Sequence, residues 1–247
     1  MLLKLLKYDI KSSYLKIVMS FLAYIAIASA LMIFFRNHEK VNTVVLTFGI
    51  IALCVITFLI IFQRYNENFY HNEGYFMFTI PVDGRMLLAS KLISAFIWIL
   101  ALVLIIVFWI TILVFYYGES GYINDTYKFI EINKTYAIIL GINYLVNIIQ
   151  FVLVIYFSIS VSKLPIWRRF SLMAGLVISF VLGILNLLSS FLFRKVAHHT
   201  NTITVINNLI EQVLINKLLV QCLFELFILV VLFFATAYLL DNRTSLK

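Results

Sequence analysis

NENFYHNEGYFMFTIPVDGRMLLASK, residues 66–91, is a polar island between two long apolar runs. It holds three of the eleven acidic residues, Glu67, Glu73 and Asp83, and one of the two prolines, Pro81. Pro81 cannot continue a preceding helix and Asp83 is a suitable N-cap, so the next helix is expected to start near Gly84. Ahead of Pro81, Phe69, Tyr70, Tyr75, Phe76 and Phe78 are interspersed with Asn, His and Glu, a poor pattern for a lipid-facing helix. Two readings of those aromatics stand side by side. They can be contact anchors on a short helix with a polar rim, or an aromatic belt at a membrane surface.

Working outward, the flanking runs define the class of protein. Of 247 residues, 64% are hydrophobic and 12% charged, with mean hydropathy +1.05. So little charge cannot disperse a soluble domain of this size. Apolar runs of about 18 residues or more recur, enough to cross a hydrocarbon core as helix, and the ten-residue alternation of a membrane barrel is missing. The expectation is an all-α membrane protein with a single transmembrane domain, residues 1–247. The net charge of +8 then reads as basic residues at helix ends and headgroups, with no nucleic-acid partner. Cys54 and Cys222 both lie within apolar runs and read as small hydrophobes, not a disulfide or metal pair.

Taken in order, residues 1–16 place Lys4, Lys7 and Lys11 at i, i+3 and i+7, with Leu2, Leu3, Leu6 and Ile10 on the other side. That pattern predicts a basic amphipathic helix lying in the headgroup layer. Ala26-Ile27-Ala28 resembles a signal-peptide cleavage site, but the apolar run continues to Phe35, which favours an uncleaved first span. Six spans are expected at about 17–35, 43–63, 92–117, 136–162, 170–193 and 218–240. Between the last two, Val205, Ile206, Leu209, Ile210, Val213 and Leu214 form an apolar stripe on a short helix expected at the membrane surface. Six spans put both termini on one side. That side carries twelve Lys and Arg against seven on the other, so both termini and residues 64–91 are expected in the cytoplasm, in a plasma-membrane protein.

Chemical motifs are sparse. No P-loop, HExxH or GxSxG occurs, so the chain supplies no phosphate loop for ATP. His198-His199 has no third ligand nearby in sequence, adjacent residues face different sides of a helix, and no metal site is assigned. Asn133-Lys134-Thr135 is a sequon of the kind that arises by chance. Glu225 is the one acid well inside an expected span, with Gln221 one turn away. On span four Asn143, Asn147 and Gln150 fall at i, i+4 and i+7. A carboxylate in lipid must face other helices or a wet cavity. The two polar stripes are therefore expected to meet, either lining a polar path or acting as helix-bridging contacts.

The run Glu73-Gly74-Tyr75-Phe76-Met77-Phe78-Thr79-Ile80-Pro81-Val82, followed by Arg85 and Ser90-Lys91, resembles the cytoplasmic signature of ABC transporter type-2 permeases. The basic N-terminal helix, the six spans and a helical insertion before the last span resemble that family too. The resemblance implies a coupling helix at about 66–80 that docks in a groove of a separate ATPase subunit. It implies docking roles for Glu67, Phe69, Tyr70, Glu73, Gly74, Tyr75, Phe76, Pro81, Arg85 and Lys91. ATP and Mg would be bound by that partner chain, with no cofactor in this one. A second permease subunit, identical or not, would complete the assembly within membrane lipid. One departure is the outer segment at 194–217, too short for the paired re-entrant helices of some members.

The function expected is that of an exporter membrane subunit that carries out no bond chemistry itself, with an amphipathic or hydrophobic cargo such as a peptide toxin or antimicrobial peptide. The alternative is a non-transporting membrane sensor or immunity protein that binds peptides at its outer face. An intramembrane enzyme is disfavoured because no nucleophile–base pair or metal constellation is present.

Overall fold

The buried stripe of the first helix runs straight through the break expected near residue 16. Asp9, Ser13, Ile17, Phe21, Tyr24, Ala28 and Met32 recur at three- and four-residue intervals on one face. No Pro or Gly interrupts them, so the helix continues as a single rod. The structure is a computed structural model and describes residues 2–34, 39–70, 82–117, 134–163 and 207–243, with helical residues between 175 and 184. Its long helices are α1 (Leu2–Phe34), α2 (Glu39–Tyr70), α3 (Gly84–Tyr117), α4 (Lys134–Ser162) and α5 (Asn207–Arg243). Among the described residues there is no strand.

Among the described residues, five helices are long and apolar enough to cross a membrane. At most 33% of the apolar window of any of them is buried within the protein. Side chains such as Phe48, Leu104 and Phe227 stand at 67–69% exposure, as a lipid solvent requires and water would not tolerate in such number. These helices fit a multi-pass membrane protein. The fifth expected span, 170–193, lies mostly outside the described residues.

Three boundaries differ from expectation. The interfacial segment 1–16 is the N-terminal part of α1, not a separate helix. The start of the expected coupling helix, residues 66–70, is the end of α2, while 71–80 lie outside the described residues. The surface helix before the last span is continuous with it in α5. In α2 the reason is visible. No proline precedes Pro81, and the buried series Leu53, Thr57, Ile61, Tyr65, Asn68 extends the packed face to the helix end.

The chain divides into two compact units, Met1–Val82 with Ala89–Tyr127, and Asp83–Leu88 with Lys128–Lys247. In the first unit α1 and α2 pack antiparallel, with Asp9 beside Asn68 and Tyr24 beside Gly49. A Cβ on Gly49 would lie 3.1 Å from the Tyr24 ring, so glycine is what permits this approach. α3 runs parallel to α1: Ser13 meets Trp98, and the Tyr24 and Trp109 rings meet edge to face at 5.9 Å. In the second unit α4 packs along α5. Buried Ser158, Ser160 and Thr236 donate to carbonyls four residues back, which satisfies their hydroxyls within their own helices.

α3 begins where Pro81 and Asp83 predict. The Asp83 carbonyl accepts from Met86 N at 2.9 Å and Leu87 N at 3.2 Å, as an N-cap carbonyl does. The side chain that serves this terminus comes from elsewhere: Gly84 N donates to Asp241 Oδ1 at 2.6 Å. Asp241 near the end of α5 thus caps α3 and adds a negative charge at the positive end of its dipole.

Candidate functional site

Two buried polar clusters account for the chemistry of the described residues, one in each unit. The first sits at the shared end of α1, α2 and α3. Asp9 is 5% exposed and Lys91 is 4% exposed, and Lys91 Nζ pairs with Asp9 Oδ1. Asn68 Nδ2 donates to the same oxygen at 3.4 Å, and Ser90 Oγ donates to Oδ2 at 3.3 Å. Behind the carboxylate, Ser13 Oγ donates to the Asp9 carbonyl at 2.8 Å and accepts from Trp98 Nε1 at 3.1 Å. Arg64 on α2 reaches Ser12 on α1. The Lys91 ammonium also lies 5.8 Å from the centre of the Phe69 ring.

Each helix places its contribution by simple spacing. Asp9 and Ser13 are one turn apart on the buried stripe of α1, Arg64 and Asn68 one turn apart on α2, and Lys91 and Trp98 two turns apart on α3. Burying two charges is compensated only when they are paired and their remaining valences are met, and here α2 and α3 supply those extra donors.

The second cluster lies on the α4–α5 seam. Glu225 is 2% exposed. Asn147 Nδ2 donates to its Oε2 at 2.7 Å, Asn143 Nδ2 to the same oxygen at 3.3 Å, and Gln221 Nε2 to Oε1 at 2.8 Å. Asn147 Nδ2 also reaches Asn143 Oδ1 at 3.0 Å. Asn143 and Asn147 of the α4 stripe therefore meet Glu225 of the α5 stripe. Gln150, 1% exposed, continues the α4 stripe, and its Oε1 has no hydrogen-bond partner among the described residues. Glu225 likewise makes no ion pair among the described residues.

The residues assigned to docking fall into three groups. Glu73, Gly74, Tyr75, Phe76 and Pro81 lie outside the described residues. Phe69 and Lys91 are buried, Phe69 against Tyr65 with ring centres 4.9 Å apart, so both face the helix packing and not a free surface. Glu67 and Tyr70 are half-buried, with Glu67 3.6 Å from Arg64 and accepting from Gln63 at 2.7 Å, and Arg85 is exposed over the Phe234 ring. The residues missed from sequence are Asp9 and Asp241. For Asp9 a signal was present: it opens the four-residue series Asp9, Ser13, Ile17, Phe21, which marks a buried face.

No group of three His, Cys, Asp or Glu that could hold a metal occurs among the described residues. Compared with known proteins, the chain matches no family model, no curated protein and no solved structure.

Proposed function

We propose that this chain is the membrane-spanning permease subunit of an ATP-driven exporter of the ABC type-2 class, with the ATPase on a separate chain. The supporting observation is the Asp9–Lys91 cluster. It joins the last turns of α2 to the first turns of α3, the two elements flanking residues 71–81, and ties both to α1. A displacement imposed on the 71–81 connection is transmitted to three helices together. That is what a subunit driven from outside by a nucleotide-binding partner requires. Phe69 and Lys91 then belong to the transmitting frame, and Glu73 through Pro81, with Arg85, to the docking surface. The reading carries with it six spans, cytoplasmic termini and a second permease subunit. The α4–α5 seam is the path an amphipathic or hydrophobic cargo such as an antimicrobial peptide would follow.

The test is association. The solubilised chain should co-purify with a P-loop ATPase, and charge reversal at Glu73 or Arg85 should reduce that association at least tenfold. Failure to recover any nucleotide-binding chain, together with unaltered function in both reversals, would dispose of the reading.

A further inference from the structure

The N-terminal turns of α1 carry a feature that neither cluster uses. A shallow groove along the helix is lined by Leu3, Leu6, Lys7, Ile10, Lys11 and Tyr14. Its floor is aliphatic and its rim carries two ammonium groups one turn apart. Leu3 stands at 78% exposure and Tyr14 at 53%, and both lysines are exposed. The single acid of this segment is Asp9, which lies two residues from each lysine and so points to a different side of the helix. Asp9 is already paired with Lys91, and Lys4, Lys7, Lys11 and Lys16 make no ion pair among the described residues. The groove is thus a cationic surface with its charge uncompensated.

Length locates it. A helix of 33 residues is about 50 Å long, and the hydrocarbon core spans only about 30 Å. Roughly 20 Å of α1 therefore lies in or beyond the headgroup layer, and the four lysines identify that part as the N-terminal end. An apolar floor with an ammonium pair, held at headgroup level, is complementary to an amphiphile with an anionic head and an aliphatic tail. We propose that this groove is a binding site for an anionic phospholipid, whose phosphate lies between Lys7 and Lys11 and whose chain runs from Ile10 past Tyr14 toward the hydrocarbon core. The assignment rests on the membrane-spanning fold alone and does not depend on an ATPase partner.

Native mass spectrometry of the detergent-solubilised full chain, titrated with phosphatidylglycerol or phosphatidylcholine, tests the site. The first phosphatidylglycerol should bind well ahead of phosphatidylcholine. A K7Q/K11Q variant should lose about 25-fold of that affinity, at roughly fivefold for each lysine. Lys16→Gln, outside the groove and on another face of α1, should change it less than twofold, and K7R/K11R should retain it, which separates loss of charge from loss of folding. Inorganic phosphate should not displace the lipid. Equal binding of both lipids, unchanged affinity in K7Q/K11Q, an equal loss in Lys16→Gln, or displacement by phosphate would each overturn the proposal.

Discussion

Asp9 and Glu225 are both acids buried to within a few per cent, yet their surroundings differ in kind. Asp9 has a cation, Lys91, and takes its further hydrogen bonds from two other helices. Among the described residues Glu225 has only amides, from Asn143, Asn147 and Gln221. The difference teaches what each region can tolerate. A paired buried charge is costly to disturb because removing one partner strands the other. A carboxylate held by amide donors can lose or exchange one bond at small expense, since such contacts between membrane helices average well under 1 kcal/mol. The first cluster is therefore a fixed frame for the ends of three helices. The second is an adjustable seam.

The largest effect should come from breaking the frame. Lys91→Met leaves Asp9 buried without its cation and should lower stability by about 3–5 kcal/mol, read as a fall in the unfolding midpoint in nanodiscs. Next is Glu225→Leu, which leaves the amide donors of Asn143, Asn147 and Gln221 without their acceptor. It should cost about 1–3 kcal/mol by the same measurement. Glu225→Gln retains an acceptor and should cost about 1 kcal/mol or less. If Glu225→Gln matched Lys91→Met, the distinction between frame and seam would fail. Between these lies the α3 cap. Asp241→Ala removes the acceptor for Gly84 N and should cost about 1 kcal/mol, seen as faster hydrogen exchange in the first turn of α3.

Much of the seam was legible before the fold. Asn143, Asn147 and Gln150 share one face by spacing alone, and Gln221 with Glu225 share another. Two polar faces at comparable depth in lipid have few partners besides each other. The start of α3 was equally plain, because Pro81 and Asp83 act locally. The frame was not legible. In residues 1–16 the period of the lysines masks the buried period beginning at Asp9, and its partner Lys91 lies 82 residues away in sequence. The same holds for the Asp241 cap, 157 residues from Gly84. The spacing around Lys91 does not by itself distinguish a cation facing a partner from one facing an acid inside the same chain. The unbroken α1, α2 and α5 were missed because composition changes at the membrane boundary while helical periodicity does not.

A double-mutant cycle at Asp9 and Lys91 tests the frame most directly. Unfolding midpoints would be compared for the native chain, Asp9→Asn, Lys91→Met and the D9N/K91M double variant, all in the same nanodiscs. A paired buried charge predicts two strongly destabilised single variants and a double variant much less affected than their sum. Additive losses, or single variants as stable as the native chain, would contradict it.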